Sequence, residues 1–331
     1  MGRYLNVGII QQKVSLDTAE NLKYLQEKVD TFMEGYHRPE LIVGVEGGIG
    51  LFTPETIPGP ITDFLCAIAK KHGIYFIPGT MAEAHPSLPA GYSYNAVPVI
   101  NPEGEIIAVY RKMAPWAPAE SHSVPGNEYV VFDIPEKNTK IGVQICYDSN
   151  FPEISRNETL MGAEVLVKLT MDPEELYRIN KPVHYTRALE NQAYFISTNC
   201  VGFLLNMYLY GHSMLVSPEG HLMWEGGTTE TVCTVTLDLD LVKTCREYGT
   251  LFIDHYLQHL RLYNFPMPFA NNVGQAPLYR NLPPVPQDVQ EYDLQVAKAG
   301  VGIIGRTSYD ESVMAAFSAK CQQSLRQFLK K

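Results

Sequence analysis

The sequence predicts an α/β protein made of two similar halves. Near-continuous apolar runs alternate with segments of helical periodicity, the order of a sheet flanked by helices. The runs lack polar alternation, as strands covered on both faces do. One tight-turn phrase also occurs twice, as Asn-Pro-Glu-Gly at 101–104 and Ser-Pro-Glu-Gly at 217–220.

Taken in order, residues 5–11 form the first expected strand. Leu22, Leu25, Val29 and Phe32 then recur at helical spacing, with Ser15 or Asp17 placed to cap that helix. LIVGV at 41–45 is a buried strand, 60–72 a helix stopped by Gly73, and 75–78 a further strand. Segments 96–100 and 106–110 flank the first turn phrase and predict a β-hairpin. The plan then repeats. Strands are expected at 140–145, 165–169 and 194–198, helices at 152–161 and 182–192, and a second hairpin at 214–216 and 222–224.

Beyond Leu237 the pattern changes. Helices are expected at 240–248 and 251–262. Residues 266–286 are too rich in Pro and Asn for regular structure, yet Phe269, Leu278 and Tyr279 suit contact with a protein surface. A last helix is expected at 310–329. The division is a main domain over 1–248 and an extension over 249–331, read as an oligomerisation arm.

Composition narrows the function. Of 331 residues, 45% are hydrophobic and 19% charged, which excludes a disordered chain. With 26 Lys+Arg against 36 Asp+Glu the net charge is −10, so nucleic acid and anionic membrane surfaces are not expected partners. The N-terminus lacks signal-peptide features, no apolar run is long enough to span a membrane, and the six cysteines have no framework spacing. A cytoplasmic protein with reduced thiols is expected. His255 and His259 stand four apart but have no evident third ligand; no metal site is expected, and no cofactor.

Three chemically capable residues each follow a buried strand: Glu46 after LIVGV, Lys112 after IIAVYR, and Cys146 after KIGVQI. Strand ends of an α/β sheet face the usual ligand crevice. There a Cys supplies a nucleophile, a Glu takes its proton, and a Lys stabilises both thiolate and oxyanion. Asn95, Thr170, Met171, Asp172, Arg187 and His212 are further residues able to line such a site, Thr170–Asp172 foremost. Arg187, Glu190 and Asn191, on one expected helix, better suit a structural network.

VEGG around Glu46, YRK ending at Lys112, ICYDSNFPE around Cys146 and TRALENQAYFISTN at 186–199 resemble the nitrilase, or carbon–nitrogen hydrolase, superfamily. The resemblance runs from about residue 5 to 240. It implies a four-layer αββα sandwich of two pseudo-symmetric halves, followed here by an extended C-terminal arm. It also implies Glu46, Lys112 and Cys146 as catalytic residues. YRKMAPWAPAESHSVPG at 110–126 is similar to the aliphatic amidase and formamidase branch, with Lys112, Trp116 and a second acid, Glu120. That branch implies a homo-oligomer.

The chain departs from the branch at three places. Gly47 stands where Tyr is usual, His122 where Trp is usual, and Tyr147 follows the nucleophile in place of Asp or His. These differences point to a pocket wider or more polar than one shaped for formamide. The expected chemistry is hydrolysis of a small amide to acid and ammonia through a thioester. Glu120 would orient the amide, the Tyr147 N–H would bind the oxyanion, and Trp116, His122, Thr170, Met171 and Asp172 would contact substrate. A nitrile or N-carbamoyl hydrolase with the same trio, and a non-catalytic scaffold of the same fold, are the alternatives.

Overall fold

The computed structural model describes residues 2–299, other than 118, 205, 206, 264, 267, 281 and 287, together with 326–329. The first half runs β1 (Tyr4–Gln11), α1 (Thr18–Glu34), β2 (Leu41–Glu55), α2 (Pro60–His72), β3 (Tyr75–Glu83), β4 (Tyr94–Ile100) and β5 (Ile106–Arg111). The Asp17 carboxylate caps α1 by accepting from the Ala19 N–H, and Gly73 ends α2 at φ 64°. The second half runs β6 (Val131–Ile134), β7 (Thr139–Ile145), α3 (Pro152–Leu160), β8 (Val165–Thr170), α4 (Tyr177–Asn191) and β9 (Tyr194–Asn199). A small hairpin, β10 (Val201–Leu204) and β11 (Met207–Tyr210), precedes β12 (Met214–Val216), β13 (Leu222–Glu225) and β14 (Thr231–Asp238). Helices α5 (Leu239–Tyr248), α6 (Tyr256–Tyr263) and α7 (Val289–Ala299) follow.

Two six-stranded sheets result, in the orders β14-β1-β2-β3-β4-β5 and β13-β12-β9-β8-β7-β6. Each has three parallel strands at its centre, an antiparallel hairpin on one side and an antiparallel strand on the other. The duplication expected from the two turn phrases is therefore a duplication of sheet topology. Period-2 geometry explains the continuous apolar runs. Val7, Ile9, Leu41 and Val43 pack against Ile141, Val143, Val165 and Val167 between the sheets. Ile10, Ile42 and Phe76 face the outer layer of α1 and α2. Leu166, Phe195 and Met214 share an outer cluster with Ala188 of α4. The layers are helix, sheet, sheet, helix.

Several boundaries differ from expectation. Helix α4 starts at Tyr177 and takes Pro182 within its second turn, which removes one N–H and leaves the rest of the ladder in place. Helix α6 starts at Tyr256, not at 251. Leu251 and Phe252 adopt φ 51° and 60° in a turn closed by Thr250 and Asp254. Residues 266–286 contain short 3-10 turns at Val273–Gln275 and Pro277–Arg280, and Phe269, Leu278 and Tyr279 remain exposed. Of the helix expected at 310–329, residues 310–325 lie outside the described ones. Phe328 sets its ring edge-on to Phe64 of α2, with centroids 5.2 Å apart. Among the described residues no helix is long and apolar enough to cross a membrane.

The two sheets are tied directly beneath the strand ends. The Thr198 hydroxyl on β9 donates to the Gly44 carbonyl on β2 at 2.6 Å. Gly44 has no room for a side chain: a Cβ there would lie 2.1 Å from the Pro78 carbonyl oxygen on β3. Gly44→Ala must therefore part β2 from β3. It is expected to cost at least the roughly 1–3 kcal/mol of an overpacked core, read as a lower urea midpoint at unchanged slope.

Candidate active site

The second sheet delivers a thiol. Strand β7 ends at Ile145, and a 3-10 turn over Cys146–Asn150 begins at once. Cys146 adopts φ 51°, a left-handed conformation that costs an L residue roughly 1–2 kcal/mol. Buried Asp148 fixes the turn. One of its oxygens accepts from the Ile145 N–H at 2.9 Å and the Tyr110 hydroxyl at 2.7 Å, the other from the Ala114 N–H at 2.8 Å. Asp148 thus joins the Cys146 turn to the loop that follows β5. From behind, Arg187 of α4 donates to the carbonyls of Ser149 and Asn150, the structural role expected of it.

The first sheet delivers the charges. Glu46 leaves the apolar part of β2, and Lys112 follows β5 directly. Both are almost fully buried, a state such residues reach only when paired. Lys112 Nζ donates to Glu46 Oε1 at 2.9 Å and to Glu120 Oε2 at 2.5 Å. Asn95 Nδ2 spans the same two carboxylates at 2.9 and 3.0 Å. The Met171 N–H, from the end of β8, closes on Glu46 Oε2 at 2.9 Å. Glu120 is fixed by the Trp116 N–H at 2.7 Å.

A second charged cluster lies on the other side of the thiol. Asp172 Oδ1 is 3.5 Å from Cys146 Sγ, which donates to it. Its other oxygen accepts from Lys168 Nζ at 2.9 Å, Asn180 Nδ2 at 2.8 Å and the Tyr210 hydroxyl at 3.4 Å. Lys168 Nζ also lies 3.3 Å from His184 Nε2, whose Nδ1 is 3.1 Å from Met214 Sδ. Burial and the Lys168 charge keep His184 neutral, so its Nε2 accepts from the ammonium.

These surroundings set the resting protonation states. Burial raises the Cys146 thiol well above its ordinary range; Glu46 and Asp172 add to the rise, and Lys112 and Lys168 oppose it. Burial also raises Glu46, against the pull of Lys112. For Lys112 burial works against the charge, but Cys146, Glu120 and Glu46 outweigh it and hold the ammonium. At Asp172 burial is the largest single influence, but Lys168 and the Thr170 hydroxyl together outweigh it and keep that carboxyl ionised. A protonated thiol in the same cavity as a carboxylate of raised proton affinity suits general-base activation.

All these groups line one cavity of about 850 Å³. Of the residues expected from sequence, Glu46, Lys112, Glu120, Cys146, Trp116, Tyr147, His122, Met171 and Asp172 lie on its wall, as does Asn95. Thr170 does not. It is fully buried on the β8 face it shares with Leu166 and Lys168, with its hydroxyl beside the Asp172 carboxylate. His212 is also elsewhere, 3.1 Å from Glu225. The missing Tyr after Glu46 is accounted for by Gly47, which takes φ 70° and would set a Cβ 2.8 Å from the Met171 methyl. Met171 occupies that wall. Wall residues not expected from sequence include Lys168, Asn180 and, from far along the chain, Asp288 and Gln290. Among the described residues no His, Cys, Asp or Glu group is arranged to hold a metal.

Residues 6–247 match the carbon–nitrogen hydrolase family. An omega-amidase of Xenopus laevis, NIT2-A, is 33% identical over 208 residues, 58% of this chain and 72% of that protein. A formamidase of Bacillus thuringiensis (strain Al Hakam) is 28% identical over 229 residues, 66% of this chain and 67% of its own. Saccharomyces cerevisiae Nit3, a member of branch 10 of the nitrilase superfamily, has a TM-score of 0.67 at 25% identity, covering 74% of this chain and 94% of its own. An amidase from Nesterenkonia AN1 shares the fold with a TM-score of 0.66 at 20% identity, covering 80% and 97%.

Glu46→Gln removes a negative charge that holds the thiol protonated. The pH at which Cys146 alkylates at half its maximal rate is therefore expected to fall. Mass spectrometry of iodoacetamide adducts across a pH series measures this, and an unchanged midpoint would show that Glu46 does not govern the thiol.

Proposed function

The chain belongs to the carbon–nitrogen hydrolase family, and we propose that within it the protein is an amidase. In this reading it splits a small aliphatic or substituted amide into carboxylic acid and ammonia, with Cys146 as nucleophile. One observation carries the reading. A half-buried thiol shares a cavity with an ammonium held between two carboxylates, Glu46 at 2.9 Å and Glu120 at 2.5 Å. Relatives named omega-amidase and formamidase support it.

Chemistry begins with transfer of the thiol proton to Glu46. The sulfur attacks the amide carbonyl, and the developing oxyanion is met by the Lys112 ammonium and the Tyr147 N–H. The proton held by Glu46 passes to the amide nitrogen, the C–N bond breaks, and ammonia leaves a thioester on Cys146. Glu46 then takes a proton from water, the hydroxide adds to the thioester, and the C–S bond breaks. The acid departs and the proton returns to sulfur. Glu120, fixed by Lys112, Asn95 and the Trp116 N–H, orients the amide nitrogen. Because Lys112 stays charged throughout, it stabilises the anion without supplying a proton.

Ammonia release from a panel of amides, ureas, carbamoyl compounds and nitriles tests the proposal. Cys146→Ala is expected to lower the rate on the best amide by on the order of 10⁴-fold or more. A nitrile or carbamoyl compound as best substrate would leave the nucleophile in place and overturn the amidase reading. A mutant as active as wild type would remove Cys146 from the chemistry.

A further inference from the structure

The Lys168–Asp172 cluster has no part in the steps above, yet it touches the nucleophile. Its construction argues against a mere brace. Three donors crowd Asp172 Oδ2: Lys168, Asn180 and Tyr210. Its backbone N–H is fixed on Asn199 Oδ1 at 2.9 Å. The remaining oxygen, Oδ1, is aimed at Cys146 Sγ and takes its proton as partner at 3.5 Å. That partner is temporary: once sulfur carries an acyl group it has no hydrogen to donate. With that donor gone, a carboxylate only 2% exposed keeps Thr170 nearby but is short of a partner on the thiol side, and an underpaired buried acceptor is costly.

The position of Asp172 says where that donor comes from. Lys112, Glu46 and Glu120 together take the carbonyl oxygen and the departing nitrogen, as the proposed amidase reading has it. The acyl chain is left to extend from sulfur on the opposite side, toward Asp172. A substituent on the first carbon beyond the carbonyl then falls within reach of Oδ1. The charge balance narrows the substituent further. Lys112 and Lys168 are the cations on the described wall, and each is already held by carboxylate, so a second carboxylate on the substrate finds no free partner. An ammonium would meet the Lys168 charge. A neutral hydroxyl meets neither difficulty.

We propose that Asp172 is a specificity-determining residue that accepts a hydrogen bond from a hydroxyl on the acyl group, making small 2-hydroxy amides the preferred substrates. The inference rests on the amidase reading. A site built to accept a hydroxyl discriminates strongly against the analogue that lacks one, because its own acceptor is then stranded.

The test compares kcat/KM for glycolamide against acetamide and for lactamide against propionamide, with succinamate as an anionic control. Wild type is expected to prefer each hydroxy amide by about 10- to 100-fold, the worth of a hydrogen bond to a charged group, with succinamate the slowest. In Asp172→Asn, and in Lys168→Met/Asp172→Asn (which leaves no buried ammonium unpaired), the ratio is expected to fall toward one. Should neither variant fold, calorimetric binding of glycolamide and acetamide to Cys146→Ala reads the same preference. Equal or reversed ratios in wild type overturn the proposal, as does a preference that survives in the variants. Failure of wild type to hydrolyse any amide overturns the amidase reading instead, and the specificity assignment with it.

Discussion

One buried ammonium organises the site. Lys112 is 1% exposed and lies between two carboxylates contributed by different segments, one from within β2, where its apolar run ends, and one from the loop after β5. Removing an ammonium from water costs several kcal/mol, and only close, multiple partners offset it. Those partners fix Glu46 and Glu120 in turn, and Asn95 and the Met171 N–H complete the acceptors' geometry. The pairing leaves the two carboxylates unequal. Glu46 is closed in and raised in proton affinity by burial, whereas Glu120 reaches the cavity from a partly exposed loop.

The thiol comes from the other sheet, so the candidate site exists only when the two halves are packed together. Duplicated topology makes this natural. Strands β1–β3 and β7–β9 point their carboxyl ends the same way within each sheet, and the sandwich brings Glu46, Cys146 and Asp172 to one end. Asp148 reinforces the join, because the same carboxylate serves the Cys146 turn and the Lys112 loop. Packing of the core and assembly of the chemistry are therefore one event. A substitution that shifts one sheet against the other is felt at the thiol without touching it.

Most of the strands and helices of the sandwich were legible in the sequence, because their periodicities are local. LIVGV, KIGVQI and VLVKL read as strands without alternation since apolar layers cover both faces. Glu46, Lys112 and Cys146 stood out because each breaks an apolar run at a strand end. Glu120 carried no such signal, and the resemblance supplied it. Lys168 was hidden inside an apolar strand, where a single charge gives no hint that Asp172 and His184 wait for it on later segments. Thr170 lies on the β8 face it shares with Lys168, but it sits beside the Asp172 carboxylate and not on the cavity wall. Asp288 and Gln290 reach the cavity from some forty residues past the family match, and no local pattern encodes that return.

The left-handed backbone at Cys146 has a consequence for how such a protein ages in evolution. Glycine occupies that conformation without steric cost, and asparagine does so more easily than most residues. Stability alone would thus replace the cysteine, and a descendant released from selection for turnover gains by doing so. Drift at this one position runs downhill, away from the thiol. A cysteine at this position therefore stands at a conformational cost that glycine would not carry.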